Sequence, residues 1–265
     1  MFTSPGAVAF QFGSLTIYWY GIMIATAFLT GLFVTLKIAR KYYNSSEIED
    51  NIYNLAFIIL PGALIGARLY FVLFNLDYYL QNPLDIIMIH KGGLSIHGGI
   101  LGGFLTGICY TLKNKIPAFM YADLFAFGVI IGQAIGRWGN FFNSEAFAKP
   151  TNLPWKLYIS PLMRPEKYAN EAFFHPAFLY ESLWNIFVFF ILYFFIWKKY
   201  SNKHGIVFFS YLILYSIGRL FIESIRIDSV FNFLGFPVAQ WMSIILIITG
   251  IIGIIIINFC HCKER

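Results

Sequence analysis

Long apolar blocks separated by short polar stretches dominate this chain. Seven blocks reach the roughly 20 residues a helix needs to cross a bilayer. They cover about 17–37, 53–74, 93–112, 119–140, 177–197, 205–225 and 239–259. The pattern predicts an all-α polytopic membrane protein of seven transmembrane helices, in a single integral domain over residues 1–265. No internal repeat accompanies it, so the inverted-repeat plan of many transporters has no support. The glycine pairs Gly62/Gly66 and Gly132/Gly136 have the spacing that lets helices approach closely.

Loop charges orient these helices. One set of ends carries Lys37, Arg40, Lys41, Lys113, Lys115, Lys198, Lys199, Lys203, Lys263 and Arg265. The opposite set has only Lys91 and Arg226 in its short loops, and long segments count for less in the positive-inside rule. The N-terminus is therefore expected outside and the C-terminus in the cytoplasm. Segment 141–176 departs from membrane composition, with Pro150, Pro154, Pro161, Pro165, Pro176, Trp155 and mixed charges. It reads as a small extracytoplasmic cap of loops and short elements.

Composition sharpens the class. Charged residues make 12% of the 265, about half the share usual for a soluble domain. Apolar and aromatic residues make 58%, with 30 Phe and 17 Tyr. A water-soluble fold of this size could not hide that much apolar surface. A disordered chain, a disulfide scaffold and an ordinary cytosolic enzyme are excluded. The net charge of +6 comes with no basic stripe or nucleic-acid motif, so the lysines read as topology signals and no nucleic-acid partner is expected. Cys109, Cys260 and Cys262 give no disulfide framework, and Cys260-His261-Cys262 lacks a second ligand pair at zinc spacing. No metal is expected. No Lys or Arg precedes Lys37, so the basic start of a signal peptide is missing and the first block is expected to stay in the membrane.

Ionisable residues inside a membrane span are costly and are functional candidates by default. With the orientation above, Tyr20, Arg68, His97, Arg137, Asn140, Tyr180, Glu181, Arg219 and Glu223 all fall in the outer halves of their helices. Helices threading in alternating directions would scatter such groups by chance; a shared level implies one polar site open to the outer leaflet. Arg137 and Asn140 share a helix face, as do Arg219, Glu223 and Arg226. Two readings stay open at several positions. Arg219–Glu223 is either a structural ion pair or part of the site, Arg68 either snorkels to the interface or serves the site, and His97, between glycines in GGLSIHGG, is either a satisfied core residue or a catalyst. Several arginines without a metal-ligand cluster suit an anionic oxygen group, and guanidinium forks match phosphate. A phosphate at membrane depth means a phospholipid headgroup, with the spans holding its acyl chains. An anion or lipid pathway would instead line its whole depth with polar groups, and the inner halves here are largely apolar. A receptor or scaffold without chemistry would not need the arginines.

The run Gly136-Arg137-Trp138-Gly139-Asn140-Phe141-Phe142-Asn143-Ser144-Glu145 resembles the signature of the phosphatidylglycerol–prolipoprotein diacylglyceryl transferase family, G-R-x-G-N-F-x-N-x-E-x-x-G. Only the final glycine differs, replaced by Ala148. Trp19-Tyr20-Gly21, the run from Gly92 to Gly99, His175-Pro176 with Tyr180-Glu181, and Arg219 through Glu223 with Arg226 and Asp228 resemble further family motifs. The likeness runs from about Tyr18 to Gln240.

The resemblance implies transfer of the diacylglyceryl group of phosphatidylglycerol to the lipobox cysteine of a prolipoprotein signal peptide in the bacterial cytoplasmic membrane. The products are a thioether and glycerol-1-phosphate, and no cofactor is implied. In that chemistry the nucleophile belongs to the substrate, and a thiol must lose its proton to attack. His97 is the natural base candidate. Arg137 and Arg219 are expected to stabilise the departing phosphate. Asn140 and Asn143 offer neutral donors, Glu145 and Glu223 orient the arginines, with Glu223 an alternative base, and Tyr20 bonds the headgroup. A glycine at 148 would suggest a backbone that side chains resist, so Ala148 puts the family's cap geometry in question.

Overall fold

A computed structural model describes residues 1–13, 15–89, 92–227 and 232–263, without the side chains of residues 232, 233, 262 and 263. Lys91, Asp228 and Arg265, and the side chains of Cys262 and Lys263, which entered the readings above, lie outside the described residues.

The chain is mostly helical. The long helices are α1 (Trp19–Tyr42), α2 (Ser46–Leu73), α4 (Ile96–Lys113), α5 (Ala118–Phe142), α6 (Ala177–Ile191), α8 (Ile206–Ile225) and α9 (Val238–Lys263). α6 continues through a π-helical turn, Leu192–Trp197, into the short α7 (Lys198–Tyr200). A short α3 (Leu76–Gln81) and a 3-10 turn (Pro83–Ile87) lie between α2 and α4. Among the described residues six helices are long and apolar enough to cross a membrane: α1, α2, α5, α6 with its extension, α8 and α9. α4 falls short of that standard. Glycines at 98, 99, 102, 103 and 107, with His97 and Lys113, dilute its apolar content over only 18 residues.

Among the described residues, seven short strands qualify the all-α expectation. β2 (Val8–Phe12) and β3 (Leu15–Tyr18) form an antiparallel hairpin turned at Gly13, whose φ of 58° lies in the left-handed region. β1 (Phe2–Thr3) pairs in parallel with β4 (Leu157–Tyr158), which pairs antiparallel with β5 (Phe173–Phe174). β6 (Asn232–Phe233) and β7 (Phe236–Pro237) pair just before α9. The segment after α5 is therefore tied to the extreme N-terminus as well as to the helices.

The chain divides into two compact units. One comprises Met1–Thr35 with Ala122–Arg265, the other Leu36–Tyr121. In the first, Gly31 and Gly128 face each other so closely that a side chain at Gly31 would stand 2.7 Å from the Gly128 carbonyl oxygen. Gly132 lies against Ala27, whereas Gly136 faces open space, so only half of the Gly132/Gly136 pair serves helix packing. Asp123 on α5 accepts hydrogen bonds from the backbone N–H of Gly205 (2.6 Å) and Phe208 (2.7 Å), capping the start of α8 and fixing it to α5. Ser182 donates to the Ala134 carbonyl (2.9 Å), joining α6 to α5. The Trp184 indole donates to Leu214 (2.9 Å) and fills the space left by Gly218, joining α6 to α8. Phe141 at the end of α5 and Phe178 at the start of α6 form one buried cluster with Phe147, Leu157, Ile159 and Phe174 of segment 143–176. In the second unit α2 and α4 pack backbone against backbone: a side chain at Gly66 would stand 2.5 Å from the Gly98 carbonyl oxygen.

Candidate active site

Three helices of the first unit bring five charged side chains together. Arg137 comes from the last turns of α5, Glu181 from the first turns of α6, Arg219 and Glu223 from the last turns of α8, and Arg226 from its end. Glu181 is the hub. Its Oε2 lies 2.7 Å from Arg137 Nη2 and its Oε1 2.9 Å from Arg219 Nη1. Arg219 Nη2 reaches Glu223 Oε2 at 2.6 Å, across one helical turn. Arg226 Nη1 stands 3.9 Å from Glu181 Oε1 and 3.7 Å from Glu223 Oε2.

The burial of these groups is graded. The two carboxylate side chains are 4% and 3% exposed, whereas Arg137, Arg219 and Arg226 are 21%, 16% and 12% exposed. The carboxylates thus lie behind and the guanidinium groups in front. Deleting one member of such a buried pair costs about 3–5 kcal/mol, because the partner is left charged in a poor solvent. The chemical consequence is preorganisation. Arginine side chains usually lose much rotamer freedom on binding an anion, and here buried acceptors already hold them.

A second group adjoins α5. Glu145 accepts a hydrogen bond from the Asn140 amide (2.8 Å) and, longer, from Asn143 (3.4 Å), and its N–H donates to the Asn140 carbonyl (3.0 Å). The turn that makes this possible holds Ser144 and Ala146 at φ of 53° and 54°. Glu145 is thus placed with the asparagines, while Glu223 and Glu181 hold Arg219. Tyr20 packs closely against Gly139, where a side chain would stand 2.7 Å from its ring. Trp19 stacks on Phe142 at 4.7 Å between ring centres. Ala148, where the resemblance led to a glycine, is fully buried against Ala177 and Ile222 and bridges to Arg226. The left-handed residues of this turn are Ser144 and Ala146, not Ala148, so the position makes no demand for glycine here.

Close by, the Tyr180 hydroxyl accepts from the Trp155 indole (3.0 Å) and bonds His175 Nδ1 (2.9 Å). Burial holds the His175 imidazole below its ordinary pKa.

The remaining candidates lie in the second unit. His97 is in the first turn of α4, its ring 6.2 Å from that of Tyr70. Arg68 does not snorkel to the interface. It is buried, and its guanidinium donates to the backbone carbonyls of Ile86 (2.8 Å), Gly92 (2.7 Å), Gly93 (2.8 Å) and Asp85. Glu181 is the residue whose importance the sequence did not disclose. It was visible as an acidic group at the right level, but nothing local says that two arginines from different helices converge on it.

Membrane-length helices α5, α6 and α8, with arginines held on buried carboxylates at their ends, place the chain in the class of multi-pass membrane proteins. A model of prolipoprotein diacylglyceryl transferases matches residues 7–256. A protein of Acaryochloris marina is 46% identical over 256 residues, covering 96% of this chain and 91% of its own length. One of Trichormus variabilis is 45% identical over 260 residues, covering 96% and 90%. One of Thermotoga maritima is 43% identical over 263 residues, covering 97% and 86%. All three are named phosphatidylglycerol–prolipoprotein diacylglyceryl transferase. The chain belongs to the prolipoprotein diacylglyceryl transferase family.

Proposed function

We propose that this protein transfers the diacylglyceryl group of phosphatidylglycerol to the lipobox cysteine thiol of a prolipoprotein, the first step of bacterial lipoprotein maturation. The observation that carries this reading is the cluster of Arg137, Arg219 and Arg226 on Glu181 and Glu223. The names of the relatives supply donor and acceptor.

In the reaction a carbon–sulfur bond forms between the cysteine and the glycerol carbon that bears the phosphate. The carbon–oxygen bond to that phosphate breaks, and glycerol-1-phosphate leaves with the electron pair. The thiol proton goes to a base, for which His97 is the candidate. Arg137 and Arg219 meet the phosphate as negative charge gathers on it, each contact contributing roughly 3 kcal/mol to lowering the barrier. Asn140 and Asn143, ordered by Glu145, donate to phosphate or headgroup hydroxyls, and Tyr20 bonds the headgroup. No electrons change hands and the substrate brings its own nucleophile, so the step needs no cofactor.

In this reading the chain crosses the bacterial cytoplasmic membrane seven times, with α4 the seventh span. The N-terminus lies outside, the C-terminus in the cytoplasm, and residues 141–176 form an extracytoplasmic cap. The prolipoprotein enters sideways from the bilayer, since its own signal segment is apolar. Purified protein, phosphatidylglycerol vesicles and a synthetic lipobox peptide, read by mass spectrometry, test the reading. A peptide carrying one diacylglyceryl group on its cysteine is the expected product. An unmodified peptide, under conditions where a known family member works, would contradict it. Within a working assay, His97→Asn with an unchanged rate and pH profile would remove His97 as the base.

A further inference from the structure

The family motif around His97 begins with two glycines, and glycines carry no side chain to pin them. Gly92 and Gly93 both sit in the left-handed region, at φ of 87° and 76°. Ser95 and His97 follow within a few residues, so whatever fixes these glycines also fixes the start of α4. Contacts from a single turn of α2, residues 67–70, do so. Arg68 Nη1 donates to both the Gly92 and Gly93 carbonyls (2.7 and 2.8 Å), the Ala67 carbonyl accepts from the Ser95 N–H (3.0 Å), and the Tyr70 ring lies beside His97. From the other side of the guanidinium, Nε and Nη2 donate to the carbonyls of Ile86 and Asp85. Its plane rests over the Tyr79 ring at 5.2 Å. The fit is tight, because a side chain at Gly93 would stand 2.5 Å from Arg68 Nη1.

We propose that Arg68 is a positioning residue for this reaction: by bonding the carbonyls of residues 85–86 and 92–93 at once, it locks the glycine strap onto α2 and so fixes the first turn of α4 and the ring of His97. Four carbonyl bonds use the guanidinium fork on all its sides, which is why a phosphate is not its partner. A lysine has the charge without the fork and cannot reach both pairs of carbonyls from one position. The inference rests on His97 acting as the base; the clamp itself is testable without that assumption.

The experiment compares the full-length wild type with Arg68→Lys and Arg68→Gln in phosphatidylglycerol vesicles. Rates are measured with the lipobox peptide across pH, and amide hydrogen exchange is measured over residues 92–99. The expected result is faster exchange confined to this strap, a kcat lower by roughly 10- to 100-fold in Arg68→Gln, a displaced acid limb of the pH profile, KM for peptide and lipid nearly unchanged, and partial recovery in Arg68→Lys. Wild-type exchange over the strap with a wild-type pH profile, in either folded variant, overturns the proposal. So does a higher KM for phosphatidylglycerol at unchanged kcat, which would make Arg68 a lipid ligand. If Arg68→Gln does not fold, Arg68→Lys alone decides by the same two readouts. Failure of the His97 reading is separable: strap exchange then responds to Arg68 as expected, while His97→Asn leaves the rate untouched.

Discussion

Two arginine sites among the described residues, one buried and one partly exposed, solve the same problem differently. Arg68 on α2 is satisfied by backbone carbonyls, whereas Arg137, Arg219 and Arg226 are held by the carboxylates of Glu181 and Glu223. Carbonyls converge on a guanidinium from every side, spend its donors, and turn the cation into a clamp for the chain. Carboxylates grip from behind, and the partly exposed guanidinium groups in front remain able to meet an incoming oxyanion. The residue type alone does not decide between scaffold and site; the partner does.

The largest expected effect tests the carboxylate half of this contrast. Glu181→Gln removes the charge that orients both Arg137 and Arg219, and transfer to the lipobox peptide should fall by roughly 100-fold or more. Chemical denaturation in detergent should show a loss of about 3 kcal/mol from the same buried network. Near-normal activity would mean that the arginines find their positions without it.

A smaller loss is expected beside the cluster. Asn140→Ala frees Glu145 from its 2.8 Å bond and removes a neutral donor, and the rate should drop about tenfold. If Glu145→Gln restores part of it, the negative charge of the freed Glu145 is the cause.

Much of this was legible in the sequence, for physical reasons that also mark the limits. Membrane spans declare themselves because the bilayer demands about 20 apolar residues in a row. Their ends do not. α2 begins at Ser46, well before its apolar block, because Glu47 and Glu49 in the first turn suit the helix dipole and Glu49 pairs with Arg40 at 2.7 Å. The hairpin of residues 8–18 escaped because two strands of five and four residues barely register as alternation. Arg137, Arg219 and Glu223 could be singled out by cost and spacing. The convergence of α5, α6 and α8 on Glu181 is a tertiary fact, and Arg68 could not be told from a snorkelling side chain until its four carbonyl partners were known.

Ala148→Gly should be nearly silent. The backbone there makes no left-handed demand, and the change removes one buried methyl group and stiffens the unfolded chain less. A loss of about 1 kcal/mol with unchanged transfer rate is expected from thermal unfolding and the peptide assay. Loss of activity would show that the turn carrying Glu145 depends on this side chain.

The smallest effect concerns pH. Burial lowers the His175 pKa, so as pH falls through the ordinary imidazole range the unfolded chain takes up a proton that the folded chain resists. His175 therefore costs stability on the acid side and nothing at neutral pH and above. Melting temperatures should decline between pH 7.5 and pH 5.5 (about one unit either side of the imidazole pKa), and His175→Gln should flatten that decline. An unchanged slope in the variant would assign it to other groups.

In the proposed mechanism, arginines held by buried carboxylates meet the phosphate of the lipid donor. Its most direct test is single-turnover diacylglyceryl transfer from phosphatidylglycerol to the lipobox peptide by wild type and Arg137→Ala at matched, demonstrably folded concentrations. One added diacylglyceryl group is expected with the wild type, and a rate at least roughly 100-fold lower with Arg137→Ala. Equal rates would contradict it.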